Sequence, residues 1–298
     1  MPSLRASIAR RLIRRYMAGW TEGAIEQQRA RQASFGRFAR LPKSTRWQSV
    51  DVGRIPAEWI TFPEARGGVF LYLHGGAYCL GSVAVQRELI ARLCHATGYQ
   101  ALAIDYRLAP EHPFPAALED AVAAYRWLLA EDYAPGDIVL AGDSAGGGLA
   151  VAALVALRDA GTPLPAAALC FSPWCDLTLS GDSIQTQAAA DPVLDAASLS
   201  RYARAYAGDH PLEHPLISPL YADLRGLPPL LIQAGTAEIL LDDATRLAAV
   251  AREAGVSVTL QTWEGLFHVF QMASFLPETS EALAQVADFL TVGNSADG

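Results

Sequence analysis

The sequence predicts an α/β fold, in which a mostly parallel sheet is covered by helices on both faces. Short apolar runs recur along the chain, and a helical stretch follows most of them. The runs are continuous rather than alternating, which is typical of strands that are buried on both faces. Apolar residues make up 51% of the 298 residues, and the mean hydropathy is +0.17. This much apolar surface can offset chain entropy, so a disordered chain is excluded.

The predicted strands and helices alternate along the chain, as they do where helices connect parallel strands. One or two strands are predicted within residues 47–61, and single strands at 69–73, 101–104, 138–141, 166–171, 230–233 and 256–262. Helices are predicted between them, at residues 83–97, 116–130, 147–160, 242–254 and 278–290.

One interval interrupts this rhythm. About 58 residues separate Phe171 from Leu230 with no predicted strand, although residues 196–207 are expected to be helical. Compact domains rarely contain such a stretch without a function, so we expect an insertion near a functional cleft. Together with residues 1–45, it is expected to form a helical cap over the carboxyl ends of the strands, where ligands bind in open α/β sheets.

The N-terminal segment is predicted to be an amphipathic, arginine-rich helix. Every fourth residue is apolar from Leu4 to Trp20, and five arginines lie between these positions. A helix lying on a membrane surface and a mitochondrial-type presequence both have such a pattern. We favour a third interpretation, in which the apolar stripe covers part of the domain's own surface. The apolar content continues past any short anchor, at Trp20, Ile25, Phe35 and Phe38.

Charge and cysteine content exclude several classes of function. Residues 1–50 contain 11 basic and 2 acidic side chains, whereas residues 51–298 contain 12 basic and 29 acidic ones. A body this acidic argues against a nucleic-acid partner.

No apolar stretch approaches the length of about 20 residues that a membrane span needs, and no secretory signal is recognisable. The four cysteines form no Cys-x-x-Cys pair, which argues against a metal site and favours reduced thiols in a cytoplasmic protein.

The most informative segment is Gly142-Asp-Ser144-Ala-Gly146, which directly follows a predicted buried strand and precedes a predicted helix. Gly-x-Ser-x-Gly in this context presents a serine on a strained turn, and the flanking glycines allow the strand and the helix to approach closely. The N-terminus of the helix favours a developing anion. Ser144 is therefore the predicted nucleophile, and the Ala145 amide is a predicted oxyanion donor. The alternative, a phosphate-binding turn, is weakened because the phosphate-binding glycine motifs are absent.

A second glycine loop, His74-Gly75-Gly76-Ala77, follows the strand predicted at 69–73. Loops of this type supply further amide donors to the oxyanion of an ester hydrolase. The predicted oxyanion hole therefore comprises Gly75, Gly76, Ala77 and Ala145, with Gly75 shaping the turn. His74 precedes the serine, whereas the expected chain order is serine, acid, histidine, so we expect it to hydrogen-bond within the loop.

The predicted general base is His268, which lies in a loop between the last predicted strand and the last predicted helix. Two other histidines that follow the serine, His210 and His214, lie in the insertion and are expected to be structural or exposed. The acid that orients the base has three candidates after the strand predicted at 230–233. Glu238 is favoured because it lies in the loop itself. Asp242 is the second choice, since Asp242 and Asp243 begin a predicted helix, where capping explains them equally well.

Together, these segments resemble the hormone-sensitive-lipase-like (bacterial family IV) carboxylesterases of the α/β-hydrolase fold. The resemblance runs from about Val69 to Phe270 and rests on His74-Gly-Gly-Ala77, Asp105-Tyr-Arg-Leu-Ala-Pro-Glu-His-Pro-Phe-Pro115, Gly142-Asp-Ser-Ala-Gly-Gly147 and Glu264-Gly-Leu-Phe-His268. Two positions depart from the family pattern. The usual fourth glycine of the oxyanion loop is Ala77, and the usual Asp-Pro of the acid motif is Glu238-Ile239.

The resemblance implies a serine carboxylesterase that hydrolyses short-chain acyl esters and needs no metal or cofactor. The implied organisation is a cap from residues 1–45 and 175–225, and a catalytic domain from residues 46–174 and 226–298. Alternative functions are an acetyl-hydrolase or amidase for a specific metabolite, or a non-catalytic ligand receptor on the same fold. The expected partner is a small ester substrate, and a homodimer is among the assemblies that the sequence permits.

Overall fold

The computed structural model describes residues 3–17, 19–33 and 40–293. In this part of the chain, one eight-stranded sheet has the order β1-β2-β4-β3-β5-β6-β7-β8. Strands β3 to β8 are mutually parallel, whereas β1 and β2 are antiparallel additions at one edge. The strands are Arg46–Val52, Ile55–Thr61, Val69–Leu73, Gln100–Ile104, Ile138–Asp143, Ala167–Phe171, Leu230–Gly235 and Val258–Trp263. The predicted fold class is confirmed.

The helices of the described residues, α1 to α9, connect these strands and cover both faces of the sheet. In chain order they are Leu4–Met17, Ile25–Ala33, Val83–Thr97, Ala116–Ala130, Ala145–Asp159, Ser183–Thr186, Ala196–Ala207, Leu241–Glu253 and Pro277–Gly293. Two buried apolar clusters lie on the two faces of the sheet. One contains α4, α5 and α8, and the other contains α3 and α9. Strands β3, β5, β6 and β7 are buried along their whole length, as their continuous apolar runs predicted.

The interval between β6 and β7 contains no strand and holds α7, as predicted, and also the short helix α6, which was not predicted. It is hydrogen-bonded to the N-terminal segment. The Tyr202 hydroxyl of α7 donates to the side-chain oxygen of Gln28 in α2, and Arg201 donates to the carbonyl of Thr21. Arg29 of α2 in turn donates to the carbonyls of Cys79 and Ala109, which lie beyond the carboxyl ends of β3 and β4. Helix α2 therefore links α7 to the loops at this edge of the sheet.

The prediction for the N-terminal stripe is wrong. Helix α1 is formed, but Leu4, Ile8, Leu12 and Tyr16 are exposed by 78, 50, 60 and 57%. The buried face instead presents the small residues that also recur at helical spacing: Ala6 and Ala9 are buried, and Ile13 is half-buried beside them. Small side chains allow a helix to pack closely against its neighbours. The prediction failed because it was based on the large apolar side chains alone. Phe35 and Phe38 lie outside the described residues.

None of the helices in the described ranges is long and apolar enough to cross a membrane. The four cysteines are buried free thiols. His210 is exposed and His214 is half-buried, and their rings pack around Phe114 at centroid distances of 5.0 and 5.1 Å.

Candidate active site

Ser144 lies on a sharp turn between β5 and α5. Its backbone has φ +53° and ψ −121°, a conformation that only a strongly constrained turn imposes on a residue with a side chain. The constraint comes from the neighbouring strand: the Ser144 amide donates to the Phe171 carbonyl at 2.8 Å, and the Trp174 amide donates to the Ser144 carbonyl at 2.9 Å. The side chain is thereby presented at the carboxyl edge of the sheet.

Both glycines of the motif are required by close approach, as predicted. A Cβ on Gly142 would lie 2.3 Å from the Gly146 carbonyl oxygen, and one on Gly146 would lie 1.9 Å from the Leu73 carbonyl oxygen. These contacts are to backbone atoms, which cannot move aside like the end of a flexible side chain. The turn therefore packs directly against the end of β3, where the second glycine loop begins.

The loop after β3, against whose start the Ser144 turn packs, contains two backbone amides without an acceptor in the described ranges. Gly76 and Ala77 have φ +130° and +53°. Among the described residues, neither amide donates a hydrogen bond. The Gly75 amide is engaged, because it donates to Oδ1 of Asp143 at 3.0 Å. Ala145 is the first residue of α5, so its amide has no acceptor within the helix.

His74 is buried beneath this loop and serves its structure. Its Nδ1 donates to the Gly75 carbonyl at 2.8 Å, and its ring stacks on Tyr106 at a centroid distance of 4.3 Å. Burial lowers its pKa, although Asp105 lies nearby. The predicted loop hydrogen bond is confirmed.

The loops after β7 and β8 bring a carboxylate and an imidazole together. Nδ1 of His268 donates to Oε2 of Glu238 at 2.6 Å. Glu238 is fully buried, and its other oxygen, Oε1, accepts from the Gly235 amide at 2.7 Å and the Ser172 hydroxyl at 2.8 Å. Three donors therefore hold this carboxylate in one orientation.

The second-choice acid is not in contact with His268. Asp242 accepts from the Ser183 amide at 2.8 Å. The next residue, Asp243, accepts from the amides of Cys175 and Asp176, and burial raises its pKa to about 8. Both aspartates thus tie the segment after β6 to the start of α8, and Glu238 is the carboxylate that reaches the imidazole.

Two supporting residues were missed by sequence reasoning. Ser172, directly after β6, donates to Glu238 and accepts from the Val269 amide at 3.1 Å, so one hydroxyl joins the acid loop to the histidine loop. Asp143, between the motif glycine and Ser144, accepts from the Tyr72 hydroxyl and the Gln86 amide as well as from Gly75. Asp143 is the last residue of β5 and Ser172 directly follows β6, and this position at a strand end is the signal that could have indicated them.

The charged groups around His268 raise its pKa. Burial lowers the pKa of His268, but the hydrogen bond to Glu238 and the charges of Glu238, Asp191 and Asp143 outweigh burial and raise it overall. Asp143 is itself buried, and burial raises its pKa to about 6 although Tyr72 and Gly75 stabilise its anion.

The arrangement can support nucleophilic acyl chemistry. Because Nδ1 of His268 carries the proton shared with Glu238, Nε2 is left to accept a proton from a hydroxyl. Ser144 and His268 are each only 7% exposed. In the described part of the chain, the Ser144 hydroxyl and the His268 ring are not hydrogen-bonded to each other, and such contacts commonly tighten only in the substrate complex.

Comparisons with known proteins agree with this chemistry. A family model described as the alpha/beta hydrolase fold matches residues 70–272. The acetyl-hydrolase of Streptomyces hygroscopicus is 49% identical over 267 residues, which cover 89% of this chain and 88% of that protein. An esterase of Acinetobacter venetianus is 38% identical over 226 residues, covering 75% and 74%.

A solved structure extends the likeness to almost the whole chain. The crystal structure of an esterase from the bacterial hormone-sensitive lipase family has a TM-score of 0.93 and 45% identity, covering 97% of this chain and 98% of that one. The resemblance inferred from the motifs is therefore confirmed. The chain belongs to the α/β-hydrolase family, and it is a carboxylic ester hydrolase of the bacterial hormone-sensitive-lipase group.

Proposed function

We propose that the protein is a serine carboxylesterase acting on short-chain acyl esters, with Ser144, His268 and Glu238 as its catalytic triad. The observation that carries this assignment is the His268 Nδ1–Glu238 Oε2 hydrogen bond of 2.6 Å, together with a serine on a strained strand-to-helix turn at the carboxyl edge of the same sheet. This pairing also argues against a non-catalytic receptor, which would not need an oriented base.

In the proposed mechanism, Nε2 of His268 takes the Ser144 proton as Oγ attacks the ester carbonyl carbon. Glu238 stabilises the imidazolium that results. The tetrahedral intermediate collapses as the C–O bond to the alcohol breaks, and His268 gives the proton to the leaving alcohol. Water, deprotonated by His268, then attacks the acyl carbon. The bond from this carbon to Oγ breaks, His268 returns the proton to Oγ of Ser144, and the acid is released.

The oxyanion is assigned to the amides of Gly76, Ala77 and Ala145. Support comes from their lack of an acceptor among the described residues and from the N-terminal end of α5, whose partial positive charge favours an anion. Gly75 has a shaping role, because Asp143 takes its amide. Each such donor typically contributes about 2.7–4 kcal/mol of transition-state stabilisation.

Short acyl chains are favoured by aromatic packing beside the first turn of α5. Tyr78, which follows the oxyanion loop, stacks on Tyr206 at a centroid distance of 3.7 Å and lies 6.1 Å from Trp174. All three rings are buried, and the Tyr78 hydroxyl would be 3.1 Å from a Cβ on Gly148. A long chain running in this direction would have to displace them.

A second candidate is an acetyl-hydrolase with one preferred metabolite. The name of the Streptomyces hygroscopicus relative favours it, since that protein is called an acetyl-hydrolase. The two candidates share one mechanism and differ in acyl length. A series of p-nitrophenyl esters from acetate to octanoate distinguishes the two candidates. An acetyl-hydrolase should have its highest kcat/KM with the acetate ester, whereas a short-chain carboxylesterase should have it with the butyrate or hexanoate ester.

The proposed organisation is a cap from residues 1–45 and 175–225 over a catalytic domain from residues 46–174 and 226–298. The hydrogen bonds of α2 and of Thr21 to the segment containing α7 support a single cap.

A cytoplasmic location is part of the proposal, because all four cysteines are free and buried.

The nucleophile is tested by Ser144→Ala, with the exposed Ser280→Ala as the matched control. We expect Ser144→Ala to lower turnover of p-nitrophenyl butyrate by several orders of magnitude and Ser280→Ala to leave it unchanged. Near-normal turnover by folded Ser144→Ala would remove the assignment.

A further inference from the structure

The outer face of α1 is an unusual surface for a domain whose body is acidic. We define the α1 outer face as Leu4, Ile8 and Leu12, with the neighbouring Phe275 and the arginines Arg5, Arg11 and Arg15. The four apolar side chains are exposed by 50 to 78%. Phe275 and α1 line an apolar groove of about 240 Å³. Scattered exposed apolar residues need no explanation, but a contiguous patch marks an interaction surface.

The charges on this face have no partner within the ranges that the structure describes. Among the described residues, Arg5, Arg11 and Arg15 make no ion pair and no hydrogen bond. Helix α1 contains no acidic residue. At about 100° per residue, Arg5 and Arg11 lie on opposite sides of the apolar stripe, and Arg15 continues the stripe's own face nearly one turn beyond Leu12. Arg14 is different, because it donates to the carbonyls of Ala189 and Asp191.

We propose that the α1 outer face binds an anionic lipid surface. A helix with an exposed apolar stripe flanked by arginines lies in the plane of a membrane, with the apolar side chains among the acyl chains and the cations at the headgroups. With 14 residues, α1 is about 21 Å long, which suits a position on the surface rather than across it.

A second copy of this chain fits the face less well. In a symmetric dimer the same patch meets itself, so that arginines of one α1 would face arginines of the other. Attachment to the acidic body of another copy would be heterologous, and such contacts lead to open chains unless the rotation closes. An anionic bilayer supplies both the apolar layer and the countercharge.

The inner face of α1 connects this surface to the ester site. Ala6, Ala9 and Ile13 pack in one apolar cluster with Leu266 and Phe267, the residues that precede His268. The segment held by Arg14 also contacts the acid loop, because Oδ2 of Asp191 accepts from the Ile239 amide at 2.9 Å, next to Glu238. A lipid-bound α1 would therefore hold the segment that precedes His268 against its inner face, behind the lipid surface, which suits esters that partition into membranes.

The test is sedimentation of the whole protein with vesicles of phosphatidylcholine alone or with 30% phosphatidylglycerol. We expect binding to the anionic vesicles, weak binding to the neutral ones, and release by 0.5 M NaCl. Arg11→Gln/Arg15→Gln should lower the partition coefficient roughly 30-fold, and Ile8→Ser/Leu12→Ser should lower it at least as much. The control Arg126→Gln/Arg204→Gln, which removes two exposed arginines elsewhere, should bind like the wild type.

Catalysis and binding are separated by two further measurements. All α1 variants should hydrolyse dissolved p-nitrophenyl butyrate at the wild-type rate, and Ser144→Ala should still bind anionic vesicles. The proposal on the ester site could thus fail while this one stands. Equal loss of vesicle binding in the Arg126→Gln/Arg204→Gln control would overturn the lipid proposal. So would a dimer in analytical ultracentrifugation that Ile8→Ser/Leu12→Ser dissociates, since the face would then be a contact between copies.

Discussion

Replacing Glu238 by glutamine tests the acid assignment through the hydrogen bonds of a single side chain. In the wild type, Oε1 is held by the Gly235 amide at 2.7 Å and the Ser172 hydroxyl at 2.8 Å, and Oε2 faces Nδ1 of His268. In Glu238→Gln, the remaining oxygen should stay with those two donors, so the NH2 group takes the Oε2 position. It then donates to Nδ1 and moves the histidine proton to Nε2, which is the wrong tautomer for a base.

The expected loss of kcat in Glu238→Gln has two causes: the histidine is held in the wrong tautomer, and the carboxylate charge is absent. A base in the wrong tautomer, with no carboxylate to stabilise the imidazolium, lowers kcat by about 10⁴-fold, or about 5 kcal/mol in the activation barrier. Because the carboxylate raises the pKa of His268 against the effect of burial, its loss should also move the acidic limb of the pH profile to lower pH. The assay is p-nitrophenyl butyrate hydrolysis between pH 5 and 9.

The matched control is Asp242→Asn, because Asp242 was the other candidate and accepts one backbone amide that an asparagine oxygen can also accept. We expect the kcat of Asp242→Asn to stay within about twofold of the wild type, because the Asp242 side chain does not contact His268. Thermal unfolding should show that both variants are folded. Glu238 is not the acid of the triad if folded Glu238→Gln keeps more than a tenth of the wild-type kcat, or if Asp242→Asn loses as much activity as Glu238→Gln.

The remaining predictions concern the base, its support and the turn. In the wild type, kcat/KM should fall as pH drops through a value above 6.5, because the base acts only when neutral and its pKa is raised; a midpoint below 6.5 contradicts this. Ser172→Ala removes the hydrogen bond that the Ser172 hydroxyl donates to the Glu238 carboxylate, so kcat should fall about 10- to 100-fold with KM unchanged. The acidic limb of the pH profile should shift as well. A loss of stability without these changes would exclude a role of Ser172 in positioning Glu238. Gly146→Ala should destabilise the protein by about 3 kcal/mol or more in thermal unfolding, because of the Leu73 carbonyl, whereas Gly136→Ala, with open space around its Cβ position, should stay within about 0.5 kcal/mol.

The fold and the loops of the site were predictable because local patterns determine them. Continuous apolar runs marked the strands, and three helices, Val83–Thr97, Ala116–Ala130 and Ala196–Ala207, have the predicted bounds. The strand at 138–141 was predicted two residues too short, because Gly142 and Asp143 are not apolar although both pair with β6. In parallel sheets the strand ends meet at one edge, so motifs that follow different strands were expected to converge there.

Side-chain partners and packing faces were less predictable. The choice between Glu238 and Asp242 depended on which carboxylate the β7–α8 loop turns toward His268, and spacing alone left both open. Ser172 has no motif of its own, since its importance comes from two loops distant in sequence. The α1 prediction failed because Ala6 and Ala9 are weak hydrophobic signals, yet their small size is what allows the helix to pack closely.

Ser144 is tested as the nucleophile most directly by labelling with a fluorophosphonate, followed by mass spectrometry of the peptides. We expect one adduct, on Ser144, that forms in step with the loss of p-nitrophenyl butyrate hydrolysis and is absent from Ser144→Ala. Complete inactivation with the adduct on another residue, or full labelling of Ser144 with hydrolysis retained, would contradict it.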